Sequence, residues 1–212
     1  MNIYRGSDEA EEIYYFYAYS YYGLKDIVTA RYHFQNFAET YPRSKYTEEC
    51  RYMTAYCYYL DSPDLTLDQA STYKAIENLQ LFINLYPKSE RVNECNLLID
   101  KLRNKLETKS FLNAKLYFKI SDYKAAIFAF RNSLDDFPDS QYKEEMDFLT
   151  IKSAFLYAQN SVESKKNERF LETIDYYRNF VDSYANSKYL KEAQSIYNNT
   201  LKEIELIKQS VN

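Results

Sequence analysis

The chain has 212 residues, with only 2 Gly and 4 Pro against 25 Tyr and 13 Phe, and it carries 1 His, 3 Cys and no Trp. Two glycines cannot punctuate the hairpins of a β-sandwich or build the phosphate loops GxGxxG and GxxxxGK(S/T), and one His with three scattered Cys leaves no common zinc site and little for a His-based catalytic pair. A net charge of −4 with 27% charged residues of both signs fits interspersed helix surface rather than a nucleic-acid or polybasic membrane face.

The first residues, Met1-Asn2-Ile3-Tyr4-Arg5-Gly6-Ser7, carry no apolar signal core and no lipobox cysteine, and they include the segment Tyr4-Arg5-Gly6-Ser7. Similar segments then recur as Tyr41-Pro42-Arg43-Ser44, Tyr86-Pro87-Lys88-Ser89, Phe137-Pro138-Asp139-Ser140 and Tyr184-Ala185-Asn186-Ser187. Each is a helix stop followed by a start. Pro ends the preceding helix, Ser accepts backbone N–H bonds of the next, and acids follow where the helix dipole favours them: Glu48 and Glu49, Glu94, Glu144 and Glu145, Glu192. That recurrence at helix starts argues against a general acid/base role for the carboxylate pairs.

Within the segments so bounded, a small residue precedes a Tyr by three positions in the first helix: Ala18 and Tyr21, Ala55 and Tyr58, Ala114 and Tyr117, Ala154 and Tyr157. These four tyrosines are expected at helix–helix contacts. The second helix carries Ala30 and Phe34, Ala75 and Leu79, Ala126 and Phe130, then Thr173 and Tyr177, followed by Phe37, Phe82, Ser133 and Phe180. This is the small-x3-aromatic…Pro half of the tetratricopeptide (TPR) pattern.

The expected fold is therefore all-α: one TPR-like solenoid over 1–212, a right-handed superhelix of antiparallel helix pairs. The repeats run about 7–42, 44–87, 89–138 and 140–185, with a C-terminal helix at 187–208. The second and fourth pairs carry polar stretches, 60–70 and 160–169, expected as loops. Residues 89–119 lack Gly and Pro and read as one long helix, with Thr108 to Ser110 the place for a kink. Because Tyr4–Ser7 has the form of a junction that ends a pair, one further repeat is expected before residue 1.

Three groups of residues are candidates for function. First-helix positions flanking the small residue place Tyr15, Tyr19 and Tyr22, and likewise Tyr52, Tyr56 and Tyr59, on one helix face each. These six would line a groove; the competing reading packs them between helices. Phe111, Lys115 and Phe118 occupy the corresponding slots of the third pair, and Ile151, Phe155 and Ala158 those of the fourth. Cys50, Cys57 and Cys95 read as small packing residues and His33 as structural. Lys165, Lys166 and Arg169 read as solvated surface. No residue pattern calls for a cofactor or a metal.

The junctions, together with 75–77, 82–87, 102–106 and 123–127, resemble the BamD family, the helical-repeat lipoproteins of the β-barrel assembly machinery. The insertion at 56–63 resembles the Bacteroidota branch of it. The resemblance implies five TPR-like repeats, of which four are present, and a signal and lipidated cysteine ahead of this sequence. It implies a non-enzymatic scaffold on the periplasmic face of the outer membrane, tied to the membrane only through that lipid. The expected partners are the POTRA domains of BamA and unfolded outer-membrane proteins, with no nucleic acid. Arg103 and Lys105 are the candidate partner contacts, because the family's contact regions include the C-terminal half. A generic periplasmic TPR adaptor, for example in cell division, is the alternative.

Overall fold

The structure is a computed structural model that describes the backbone of residues 8–211; the Tyr4–Ser7 junction lies outside the described residues. These form helices α1 (Asp8–Gly23), α2 (Ile27–Thr40), α3 (Thr47–Leu60), α4 (Ala70–Leu85), α5 (Val92–Lys119), α6 (Tyr123–Asp136), α7 (Lys143–Gln159), α8 (Glu163–Ser183) and α9 (Leu190–Val211). No strand occurs among the described residues. The packing divides into two compact units, Met1–Leu106 and Glu107–Asn212, with the boundary inside α5.

In the first unit α1, α2, α3 and α4 pack in succession. The small residues carry this arrangement. Ala18, Ala30, Ala55 and Ala75 are fully buried, and their lack of bulk lets neighbouring helices close over Phe34, Phe37, Leu79 and Phe82. In the second unit α6 packs on α7, α7 on α8, and α9 on both α7 and α8. Its core uses Ala114, Ala126, Phe130, Met146, Ile151, Phe180 and Ala193. Phe170, Ile174 and Ile204 form a smaller cluster with Ala158.

The four described junctions share one geometry. The Ser amide donates back to the aromatic carbonyl three residues earlier, at 3.1, 3.0, 3.1 and 3.2 Å for Ser44, Ser89, Ser140 and Ser187. The Ser hydroxyl then accepts from the amide two residues on, Tyr46, Arg91, Tyr142 and Tyr189, at 3.0 to 3.3 Å. Serine thus caps a lead-in turn, and the α-helix proper starts three residues after it. Ala185 replaces Pro without altering this geometry, so the Ser rather than the Pro sets it.

The turns inside the pairs differ. Lys25 and Ser121 take the left-handed conformation, at φ 62° and 64°, just before Asp26 and Asp122. Each Asp caps its helix by accepting an amide, from Thr29 at 3.2 Å or Ala125 at 3.1 Å.

The first insertion is a loop, as its composition predicts, between α3 and α4. The second is not. Only 160–162 is non-helical, and Glu163–Arg169 forms the first two turns of α8. Glu163 with Lys166 and Lys165 with Glu168 make i,i+3 ion pairs there, on a segment that starts with an acid, and these offset the polar composition that suggested a loop. Residues 108–110 are helical without interruption within α5.

Candidate functional site

One contact pattern repeats along the chain. An aromatic residue of a first helix stacks on the side chain two positions after the next junction serine. The residue four positions later reaches the acid five positions after that serine. In the first pair Tyr15 stacks on Tyr46 with centroids 4.3 Å apart, and Tyr19 donates to Glu49 Oε1 at 2.8 Å. In the third, Phe111 stacks on Tyr142 at 4.3 Å and Lys115 donates to Glu145 at 2.7 Å. In the fourth, Phe148 stacks on Tyr189 at 4.5 Å and Lys152 donates to Glu192 at 2.7 Å. The second pair breaks the series. Arg91 replaces the junction tyrosine, and its guanidinium lies over the Tyr52 ring at 3.9 Å.

This pattern corrects the reading of the fourth pair. Ile151, expected on the groove, is fully buried in the slot that Ala18 and Ala55 occupy, and Ala158 is buried as well. Phe155 packs on Phe170 at 5.9 Å. Sequence reasoning misses Phe148 and Lys152 because Ala154 reads as the small residue of that helix. The signal that finds them is distance from the junction: Phe148 stands eight residues after Ser140, as Tyr52 stands eight after Ser44.

The six candidate tyrosines come together in the first unit as a ladder. Tyr15 meets Tyr19 edge-on at 4.8 Å, and Tyr19 meets Tyr22 at 6.3 Å. Tyr52, Tyr56 and Tyr59 stack in sequence at 5.7 and 5.9 Å. Tyr22 and Tyr56 are close enough that Tyr22 contributes to the raised pKa of Tyr56, behind burial. The six are not equally open. Tyr52 is 3% exposed, wedged between Phe82 and Arg91, and serves packing. Tyr15, Tyr19, Tyr22, Tyr56 and Tyr59 are half-buried. Of the four tyrosines expected at helix contacts, Tyr21, Tyr58 and Tyr157 are half-buried, whereas Tyr117 is 42% exposed.

A charged knot closes one side of the ladder. Arg91 donates Nη2 to Glu49 Oε1 at 2.8 Å and Nε to Oε2 at 3.0 Å, with a longer contact to Glu94 at 3.4 Å. Burial works against the Arg91 charge, but Glu49 more than offsets it and holds the guanidinium pKa above its ordinary value. Tyr19 is pushed well up by burial and by its bond to Glu49, and Tyr52 by burial and by Glu94. These hydroxyls stay protonated and act as donors.

The two candidate partner contacts separate. Arg103 is exposed on α5. Lys105 instead turns inward and holds the first insertion: its ammonium donates to Ser62 Oγ at 2.5 Å and to Pro63 O at 2.7 Å. Burial lowers its pKa. The basic cluster of the second insertion is likewise engaged, because Arg169 lies over Tyr157 at 4.0 Å and the two lysines are ion-paired.

His33 packs among Tyr14, Tyr17, Tyr21 and Tyr32, with centroids 4.8 to 5.8 Å away. The three cysteines are buried. Among the described residues no group of His, Cys, Asp and Glu is placed to hold a metal ion, and no helix is long and apolar enough to cross a membrane.

Repeated helix pairs, a serine-capped junction and first helices handing a ring to the next junction define a TPR-like helical-repeat protein. The chain belongs to the YfiO outer membrane lipoprotein family, whose model matches residues 1–156. It is 27% identical over 131 residues to the outer membrane protein assembly factor BamD of Caulobacter vibrioides, covering 62% of this chain and 43% of that one. To the BamD of Rickettsia prowazekii it is 23% identical over 148 residues, covering 70% and 55%. The chain thus spans about half the length of these curated relatives. A solved structure of the yeast histone chaperone Hif1 aligns over 94% of this chain and 95% of that one, at 12% identity and a TM-score of 0.33, a likeness too slight to inform function.

Proposed function

We propose that the protein is a non-enzymatic scaffold of the outer-membrane β-barrel assembly machinery. Full-length, it is held by an N-terminal lipid on the periplasmic face of the outer membrane. It binds the POTRA domains of BamA, and it receives unfolded outer-membrane proteins as extended segments on the tyrosine ladder of its first unit. Family membership and the two BamD relatives support the assembly role. Holding client and barrel catalyst on one chain raises their effective concentration without any new chemistry.

The observation that carries the client-binding reading is the half-open stack of Tyr56 and Tyr59, with half-buried Tyr22 edge-on to Tyr19, beside hydroxyls fixed as donors. Tyrosine presents a large ring at the cost of ordering two χ angles, and its hydroxyl can bond an extended backbone. The corresponding slots of the second unit hold Lys115 and Lys152 in ion pairs with acids instead.

Fluorescence anisotropy with a labelled peptide from the C-terminus of an outer-membrane protein tests the reading. The double variant Tyr22→Ala, Tyr56→Ala should weaken binding about tenfold with helical content unchanged, and unchanged affinity would overturn it. Co-purification of the purified protein with POTRA domains tests the partner. Absence of a complex at micromolar concentration would overturn that half.

A further inference from the structure

Helix α8 has 21 residues where α2, α4 and α6 have 14, 16 and 14, and its extra turns build one wall of a groove. α6 and α8 both pack on α7. Between them lies a cavity of about 290 Å³, with Lys124, Phe128 and Arg131 of α6 on one side, Lys165 and Arg169 of the extra turns on the other, and Tyr157 of α7. Four cations thus face two acids, Glu168 and Glu172, in a chain whose net charge is −4. Among the described residues no carboxylate lies within ion-pair distance of Lys124 or Arg131. Lys165 pairs only with Glu168 on its own helix, both side chains being more than half exposed, and such a pair is easily displaced. Phe128 is 55% exposed.

The first unit shows what this groove lacks. There Arg31 of α2 lies over Tyr58 and pairs with Asp61 at 3.0 Å. Asp61 stands 17 residues after Ser44, and the residue 17 after Ser140 is Tyr157. The second unit therefore puts a ring, with Arg169 over it at 4.0 Å, where the first puts a neutralising acid. The groove also has a polarity. Arg131 and Tyr176 line a second cavity as well, of about 400 Å³, whose wall includes Asp135 and Asp147. Charge changes sign along the groove, and a carboxylate is favoured only toward Lys124.

We propose that the groove between α6 and α8 is a docking site for an extended, acidic segment of a partner protein. Lys124, Phe128 and Arg131 share one stripe of α6, with the two cations seven residues apart, about 10 Å along the axis. An extended chain covers that distance in about three residues. The segment that fits carries two carboxylates so spaced, with apolar side chains between them to cover Phe128. The site lies in the second unit and depends on neither the client reading of the tyrosine ladder nor the POTRA reading.

The test uses two dye-labelled peptides, one built around Glu-Leu-Leu-Glu and one around the uncharged Gln-Leu-Leu-Gln, measured by anisotropy at low salt. The acidic peptide should bind about fivefold more tightly. The double variant Lys124→Gln, Arg131→Gln should abolish that advantage. Both side chains are exposed and unpaired, so the fold should hold, and circular dichroism checks it. Lys101→Gln with Lys202→Gln removes the same charge from exposed positions elsewhere and should leave the advantage intact. Equal binding of the two peptides, or binding of neither, overturns the proposal. An advantage that survives the groove variant, or falls equally in the control variant, overturns it too, because the charge is then read elsewhere. Sedimentation with phosphatidylglycerol vesicles separates the remaining source of negative charge. Vesicle binding that the groove variant loses, without any peptide preference, assigns these cations to a lipid surface and overturns the protein partner.

Discussion

The Tyr19 hydroxyl donates to Glu49 at 2.8 Å, tying the first helix of one pair to the first helix of the next. The same carboxylate takes two nitrogens of Arg91, so one acid joins α1, α3 and the lead-in to α5. Glu49→Ala removes three charge-assisted bonds and leaves a half-buried guanidinium with Glu94 alone. Denaturant unfolding should show a loss of about 2 kcal/mol. The matching change Glu192→Ala, in a pair whose side chains are 37% and 52% exposed, should stay within about 0.5 kcal/mol.

Lys105 pins the loop between α3 and α4 through Ser62 and Pro63, and Gln69 braces it by donating to the carbonyls of Asp64 and Leu67 at 2.8 Å. Lys105→Met keeps the aliphatic bulk and removes the donors. Hydrogen exchange at 62–69 should speed up about tenfold, corresponding to a local opening easier by about 1.4 kcal/mol. Exchange in α1 and α2 should not change.

Burial raises the pKa of Asp147 above its ordinary value, against the bond donated by Tyr184 at 2.7 Å and the nearby Lys143. The folded chain therefore keeps a proton there after the unfolded chain has lost its own. Stability from this group is present below the unfolded value, about 4, and is lost as pH rises through the higher folded value. Asp147→Asn keeps an acceptor for Tyr184 and cannot ionise. Its melting temperature should exceed that of the parent at pH 7, with the gap closing toward pH 4.

Burial pushes the thiols of Cys50 and Cys57 up to about 12 and that of Cys95 to about 11. Neutral, enclosed thiols are poor nucleophiles. At pH 8 the native protein should leave all three unmodified by a disulfide reagent, and all three should react in urea.

The junctions and the alternation of small and aromatic residues were legible in the sequence because they are local. A serine and the two amides it organises lie within a few residues, and the Ala–Phe spacing is one helical turn. What composition hid was set by contacts distant in sequence. Lys105 looks like surface until Ser62 and Pro63 are brought to it from 43 and 42 residues away. Glu163–Arg169 is as polar as a loop, and helix pairing of its charges decides otherwise. Phe148 and Lys152 were obscured by Ala154, a small residue three positions from the slot that Ile151 fills. Tyr52 looked like its five companions until Arg91 closed over it.

The hand-over from one pair to the next ignores the length of chain between its ends. Tyr19 and Lys115 reach acids 30 residues away, and Lys152 reaches one 40 residues away, through the same geometry. The extra residues of the second pair form the loop at its bend, those of the fourth form the first two turns of α8, and none falls at the serine that begins a pair. Lengthening such a bend costs only about 0.6 kcal/mol per doubling. An epitope or fluorescent tag grafted between Asp64 and Asp68 should thus loosen the Gln69 brace but leave α3 and α4 paired. The same graft between Tyr41 and Ser44 would uncouple Tyr15 from Tyr46 and Tyr19 from Glu49.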